Sequence, residues 1–377
     1  MVTWTNEEYT YMDRALHLAL NGWGRTNPNP LVGAVVYKDG KIISEGYHEK
    51  VGGPHAEVNA LEEAGKLAAG ATMYVTLEPC CHYGKTPPCV NKIIEYEIKK
   101  VVIAALDPNK EVAGKGVEIL RQAGIEVEVG LKEKEAKIQN EIFRKYIVTS
   151  KPFVISKWGM SLDGKIATRT GDSKWITSKQ ARLDTHRIRA RVAGILVGIG
   201  TVLEDDPSLT CRHPEYSDHD PIRIIVDTTL KIPLDSKIMR TANSVHTIVA
   251  TLDKNKTNKK VEEIKSQGGE LLFISADLQG KVNLNELLES LGKQGIDSIL
   301  VEGGETIHGT MIDLKLVDKF ITYMGNVIIG GKKAPVPVGG KGYETLNNSI
   351  ETKDMSVEVL QDTVKVSSYP TEEKDGD

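Results

Sequence analysis

Three of the chain's four cysteines fall in one short stretch, Glu78-Pro-Cys-Cys-His-Tyr-Gly-Lys-Thr-Pro-Pro-Cys89, and His55-Ala56-Glu57 lies upstream of it. One imidazole and two thiolates are a common zinc set, and three protein ligands leave the fourth tetrahedral position open for water. Zinc lowers the pKa of such a water from about 15.7 to about 7. Glu57 is two residues from His55, close enough to take the water's proton and pass it to a substrate nitrogen. Helix N-termini under His55 and Cys89 would add partial positive charge that favours thiolates. A disulfide framework is excluded by the count, four cysteines in 377 residues, and by a reducing compartment. Cysteines used as core filler are not expected in a polar loop rich in Gly, Pro and Lys.

A second set of chemical residues lies in the other half. Ser161-Leu162-Asp163-Gly164-Lys165-Ile166-Ala167 follows an apolar run, as do Gly198-Ile199-Gly200-Thr201 and Val301-Glu302-Gly303-Gly304. Strand, glycine turn and helix in that order let backbone N–H groups approach a phosphate. Neither turn is a full GxGxxG, since Leu203 holds the third glycine's place in the first, so a Rossmann dinucleotide fold is not indicated. Arg182 and Arg189 share one face of the helical stretch SKQARLDTHRIRAR, where guanidinium groups could form a bidentate fork for a sugar phosphate. Cys211 beside Arg212 has no thiol neighbour in sequence and reads as structural.

These residues need elements to hold them. Thr5 and Glu8 form a capping box before a helix whose Met12, Ala15, Leu16 and Ala19 line one face. LVGAVVYKDGKIISEGYH reads as a hairpin around Asp39-Gly40. HAEVNALEEAG then reads as helix, ATMYVTLE as strand, the segment after Pro87-Pro88 as helix, KKVVIAALD as strand, GKGVEILRQAG as helix and IEVEVG as strand. EKEAKIQNEIFRKYIV closes the half as one helix. The order predicts a sheet covered on both faces. The pattern restarts at Thr149-Ser150-Lys151-Pro152. Beyond it, PFVISKWGM, AGILVGIG, PIRIIVD, SVHTIVAT, ELLFIS, DSILVEGG, DKFITYMG and VEVLQDTVKVSS read as strands. Helices SKQARLDTHRIRARV, NKKVEEIKSQG, NLNELLESLGKQG and ETIHGTMIDL fall between them. Two α/β domains follow, over 1–147 and 151–370.

Composition narrows the function class. Lys plus Arg number 48 against 52 Asp plus Glu, a net charge of −4, so nothing marks a nucleic-acid or anionic-membrane binder. There is no run of eighteen apolar residues and no signal-peptide pattern at the start, so a cytoplasmic location without a membrane partner is expected.

The pattern H-x-E, then P-C and C across a helix and the next strand, is that of the zinc deaminases. Residues 1–147 resemble the cytidine deaminase superfamily, and more closely the deaminase half of the RibD family, the bifunctional deaminase-reductases of riboflavin biosynthesis. NPNPLVGAVV, GYHEKVGGPHAEVNAL, YVTLEPCCHYGKTPPCV and LDPNKEVAGKGVEIL carry the likeness. The two cysteines are nine apart rather than C-x-x-C, a spacing that family shares, and it usually has serine where this chain has Cys81. SLDGKIATRTGDSKWITS, ILVGIGTVLEDDPSLTCR and VEGGETIHG resemble its reductase half, which has the dihydrofolate reductase fold. The resemblance implies an N-terminal cytidine deaminase-like α/β/α domain and a C-terminal dihydrofolate reductase-like α/β domain. It implies zinc on His55, Cys80 and Cys89, with Glu57 shuttling protons, and a phosphorylated pyrimidine substrate held by Asn29, His48, His82 and Lys85. It implies NADPH at Gly159, Trp175, Thr201, Asp205, Thr228 and Gly304, and substrate at Lys157, Ser173, Arg189, Leu209, Arg212 and Glu302. The reactions would be hydrolytic deamination of a diaminopyrimidine ribosyl phosphate, then NADPH-dependent reduction of the ribosyl group to ribityl. A homo-oligomer is also expected. Of the adjacent pair, Cys80 stands at the strand end and Cys81 points elsewhere. Two other readings compete: a nucleic-acid deaminase of the tRNA-editing type with an accessory binding domain, against which the charge speaks, and a non-catalytic zinc-stabilised binder, which should close the fourth ligand position.

Overall fold

The computed structural model describes residues 3–83, 87–110, 112–216 and 219–371. The chain divides into two units, Met1–Ser150 and Lys151–Asp377.

The first unit runs α1 (Asn6–Ala19), β1 (Gly33–Lys38), β2 (Lys41–Tyr47), α2 (Ala56–Ala64), β3 (Thr72–Leu77), α3 (Cys89–Glu95), β4 (Lys100–Ala105), α4 (Lys115–Gln122), β5 (Glu126–Val129), α5 (Glu133–Gln139) and α6 (Glu141–Thr149). The capping box is formed: the Glu8 N–H donates to Thr5 Oγ1 at 3.2 Å and the Thr5 N–H to Glu8 Oε2 at 2.8 Å. The β1–β2 hairpin closes on Asp39 and Gly40, both at positive φ (50° and 85°), the geometry that matches strand twist in a two-residue turn. Strand order is β2-β1-β3-β4-β5, antiparallel up to β3 and parallel beyond. Alternation then sorts side chains by face. Met73, Val75 and Leu77 of β3 with Val101 and Ile103 of β4 join a core with α2, α3 and α4, while Tyr74 and Val102 face α1 and α5. The expected helix–sheet–helix layering is present.

The expected single closing helix is not. It breaks at Asn140 (φ −104°, ψ 22°) into α5 and α6. The Asn140 amide is buried and satisfies both backbone groups of Leu31, accepting from its N–H at 2.8 Å and donating to its carbonyl at 2.9 Å. That pair of contacts, invisible to helical periodicity, re-aims the chain.

The second unit holds β6 (Phe153–Met160), α7 (Lys179–Arg191), β7 (Gly194–Gly198), α8 (Ile199–Asp205), β8 (Ile222–Val226), α9 (Lys237–Arg240), β9 (Thr247–Leu252), α10 (Lys260–Ser266), β10 (Glu270–Ile274), α11 (Leu284–Lys293), β11 (Ser298–Val301), α12 (Glu305–Asp313), β12 (Lys319–Gly325), β13 (Thr352–Leu360) and β14 (Thr363–Pro370). Its nine strands are ordered β10-β9-β8-β7-β11-β6-β12-β14-β13, parallel from β10 to β12 and antiparallel beyond. Consecutive apolar residues such as Ile195-Leu196-Val197 and Ile224-Ile225 are fully buried, as central parallel strands with both faces covered require. VEVLQDTVKVSS, read as one strand, is instead two: Gln361 (φ 57°) turns the chain and β13 pairs back on β14. Asp362 was the turn's one local signal, too weak without Gly, Pro or Asn beside it to break the apolar alternation. No helix among the described residues is long and apolar enough to cross a membrane.

Candidate functional site

In the first unit, parallel neighbours β3 and β4 end at one edge of the sheet, and the chemistry gathers there, where open α/β sheets hold ligands. Glu78-Pro79-Cys80 follows β3, His55 is the N-cap residue of α2, and Cys89 is the first residue of α3. His55 Nδ1 lies 3.2 Å from Cys89 Sγ and 3.5 Å from Cys80 Sγ, and the three donor atoms are all within 4.8 Å of one another. The Cys89 thiol, hydrogen-bonded to Cys80, leads in holding the Cys80 thiol down to about 4, and Cys80 in turn holds His55 up to about 9. This is a nitrogen–sulfur donor set that suits a borderline-soft cation. Glu57, in the first turn of α2, is only 3 % exposed, and burial raises its carboxyl.

His55, Glu57 and Cys80 line a cavity of about 320 Å³. Asn29, His48 and His82 line it too; Lys85 lies outside the described residues. His48 donates from Nδ1 to the Pro54 carbonyl at 2.9 Å, which leaves Nε2 to accept from the Asn29 amide at 3.2 Å. Burial lowers its pKa, so the ring stays neutral and orients Asn29. Lining residues that were not foreseen include Asp107 and Asn109 after β4, and Phe143 and Ile147 on α6. Burial pushes the Asp107 carboxyl up to about 6. Its place beyond β4 falls beside Cys80 beyond β3 only because the sheet pairs those strands, and Phe143 and Ile147 looked like any core-facing pair.

Cys81 leans on the unit's apolar core, and burial raises its thiol. Replacing it by serine is expected to leave metal content and activity within about twofold of the parent, whereas Cys80→Ser should lose the metal. Metal analysis of the purified variants reads this directly; loss in Cys81→Ser would show that the wrong neighbour was chosen.

In the second unit Lys157 of β6, Arg189 of α7 and Glu302 after β11 converge. Arg189 binds Glu302 through two hydrogen bonds, at 3.1 and 2.5 Å, and Lys157 Nζ lies 3.7 Å from the same carboxylate. Burial alone would raise Glu302, but the two cations overcome it and hold it at about 2. Burial pulls Lys157 below its ordinary value, with Arg189 adding to the effect. Arg189 also donates to the Thr210 carbonyl at 2.9 Å, and Arg212 to the Thr210 hydroxyl at 3.0 Å. Leu209, buried at φ 49°, adjoins them, and His186 Nδ1 accepts the Arg212 N–H. Thr210 and His186 had no signal in sequence. No hydrogen bond or ion pair among the described residues joins Ser173 to this cluster.

The remaining candidates stand at the carboxyl edge of the parallel strands. Gly198 and Gly304 begin α8 and α12 with no side-chain cap, and a Cβ at Gly304 would sit 4.0 Å from the Thr201 hydroxyl. Thr228 follows β8, and its carbonyl accepts from Asn255. Gly159 on β6 would bring a Cβ to 3.3 Å from Thr177. Trp175 is 67 % exposed with the Arg182 guanidinium 4.3 Å over its ring, so Arg182 serves Trp175 and not the Glu302 cluster. Lys174 lies within electrostatic reach of Asp205, which brings the Ser173–Trp175 stretch near the end of α8.

Residues 5–105 match the family model for the cytidine and deoxycytidylate deaminase zinc-binding region, and 152–366 that for the RibD C-terminal domain. The chain is 43 % identical over 360 residues to the riboflavin biosynthesis protein RibD of Actinobacillus pleuropneumoniae, covering 96 % of this chain and 94 % of the relative. It is 45 % identical over 350 residues to that of Aquifex aeolicus, covering 93 % and 95 %. Among solved structures, Acinetobacter baumannii RibD superposes with a TM-score of 0.85 at 37 % identity, covering 97 % of this chain and 99 % of that one. A Thermotoga maritima diaminohydroxyphosphoribosylaminopyrimidine deaminase/5-amino-6-(5-phosphoribosylamino)uracil reductase gives 0.85 at 39 %, with the same coverage.

Proposed function

The chain belongs to the RibD family, and from that premise we propose how its residues divide two reactions. The protein is a bifunctional enzyme of riboflavin biosynthesis, a deaminase with a zinc-binding region and a reductase that uses NADPH. The observation that carries the residue assignment is the meeting of His55, Cys80 and Cys89 at the cavity that His55, Cys80 and Glu57 line. One ring nitrogen and two sulfurs fit zinc with a coordination position to spare. Zinc, when bound, supplies Lewis acidity that makes a water acidic near neutral pH. Glu57 would carry one proton from that water to the pyrimidine ring nitrogen, and then carry the remaining hydroxyl proton to the departing amine. The water oxygen ends as a carbonyl and ammonia leaves. Asn29, His48, His82 and Asp107 offer hydrogen bonds to the ring and ribose, Phe143 and Ile147 an apolar wall, and Lys85 a charge for the phosphate.

In the other unit Gly159, Trp175, Thr201, Asp205, Thr228 and Gly304 form the cofactor side. The support is the uncapped start of α12 beside the Thr201 hydroxyl, open to a phosphate. NADPH, when bound, supplies the hydride that turns the ribosyl group into ribityl. Ser173, Arg189, Leu209, Arg212 and Glu302 form the substrate side. Lys157, with its lowered pKa, is the group we assign to protonate the ribosyl oxygen as the ring opens.

Zinc content, ammonia release from the diaminopyrimidine ribosyl phosphate, and loss of reduced-nicotinamide absorbance with the deaminated product test the whole assignment. NADPH and NADH should be compared in the last assay. Absence of zinc, or ammonia release from RNA instead, would overturn it. No nucleic-acid partner is proposed for a chain of net charge −4, and a cytoplasmic setting keeps the thiol ligands reduced. A homo-oligomer is proposed on one surface. Val357 and Val359 of edge strand β13 are 60 % and 69 % exposed, on the same face as half-buried Val364, Val366 and Met324. An uncharged apolar face of this kind is what a second copy would cover. Light scattering should give a multiple of the 41.4 kDa chain mass, and a monomer at micromolar concentration would refute it.

A further inference from the structure

Glu78 stands between β3 and the ligand Cys80, and its carboxylate is only 3 % exposed. Four backbone N–H groups converge on it. Asp107 and Gly114 donate to Oε2 at 3.2 and 2.9 Å, Gly116 and Val117 to Oε1 at 3.0 and 3.3 Å. All four belong to the segment that leaves β4, carries Asp107 and Asn109 into the cavity, and enters α4. The same segment is pressed against the residue before the ligand: a Cβ at Gly116 would collide with the Pro79 carbonyl oxygen. One carboxylate thus ties the strand end that presents Cys80 to the part of the cavity wall that carries Asp107 and Asn109. We propose that Glu78 is a positioning residue of the deaminase, setting the distance between the metal ligand and the Asp107–Asn109 wall so that the pyrimidine ring is held against the metal. The idea deepens the zinc-deaminase reading and rests on it.

Glu78→Gln tests it in the full chain. An amide of the same shape keeps one acceptor oxygen and in either orientation turns an NH2 group against two of the four N–H donors. Zinc per chain and NADPH oxidation with the deaminated substrate should match the parent. For ammonia release, KM should rise and kcat/KM should fall by about 10²-fold, the scale of a displacement near 1 Å at a reacting centre. Gly116→Ala strains the same contact with the carboxylate intact and should give the same rise in KM, which decides the matter if Glu78→Gln does not fold. A lowered melting temperature with KM and kcat unchanged below the transition would make Glu78 merely structural and overturn the proposal. If the parent itself holds no zinc and releases no ammonia, the underlying reading fails and takes this inference with it; if the parent does both and the variants equal it, only the role of Glu78 is lost.

Discussion

Glu57→Gln is expected to cut ammonia release by about 10³-fold while zinc content stays at the parent level and reduction of already deaminated substrate stays within about twofold. The size follows from general acid–base catalysis, which contributes typically about 10²–10⁴-fold. A glutamine keeps the side chain's volume in a position that is 3 % exposed, so folding should survive. Its amide has no site to carry a proton from water to the ring nitrogen. The side chain lies two residues from His55 at the start of α2, and a neutral amide there removes no ligand atom from the cluster. Measuring ammonia, zinc and NADPH oxidation on one preparation separates the outcomes. Loss of both activities together would contradict independent sites, and retained ammonia release would remove Glu57 from the mechanism.

Glu302→Gln should abolish the reductase and destabilise the second unit, leaving ammonia release at parental rate. The carboxylate is the shared counter-charge of Arg189 and Lys157, whose side chains are 12 % and 15 % exposed. Removing one partner of a buried ion pair leaves charge uncompensated and costs about 3–5 kcal/mol. Without Glu302 the Lys157 ammonium also loses the charge that opposes its burial, so its proton is held less firmly still. The effect has a pH signature. Glu302 sits at about 2 against an ordinary 4.5, a lowered carboxylate pKa. Its stabilising contribution is therefore fully present above about pH 4.5 and lost as pH falls through about 2. Urea unfolding of parent and variant should show a gap that is constant near neutrality and closes on acidification. A gap that is absent at pH 7, or that widens toward acid, would contradict the ion-pair account.

How much of this was legible in the sequence varies by residue. His55, Cys80 and Cys89 could be picked out because one imidazole and two thiolates are residue types that suggest zinc chemistry, and the structure brings their donor atoms together. Most elements were found because apolar alternation and helical periodicity are local signals. Asn140 and Gln361 mark where such signals fail. A buried amide serving Leu31, far off in sequence, interrupts one helix, and a turn without Gly, Pro or Asn splits one strand.

By itself, then, the sequence determined which residue types could bind a metal and which segments become most of the strands and helices. The first depends on residue type alone and the second on neighbours a few positions apart. Only the tertiary structure decided that Asp107, Phe143 and Ile147 wall the cavity, that Glu78 clamps that wall to the ligand strand, and that Glu302 sits between Arg189 and Lys157. Those pairings join positions tens to more than a hundred residues apart, and they exist because parallel strands end together at one sheet edge. Sheet order, which no local pattern encodes, chooses which strand ends meet there.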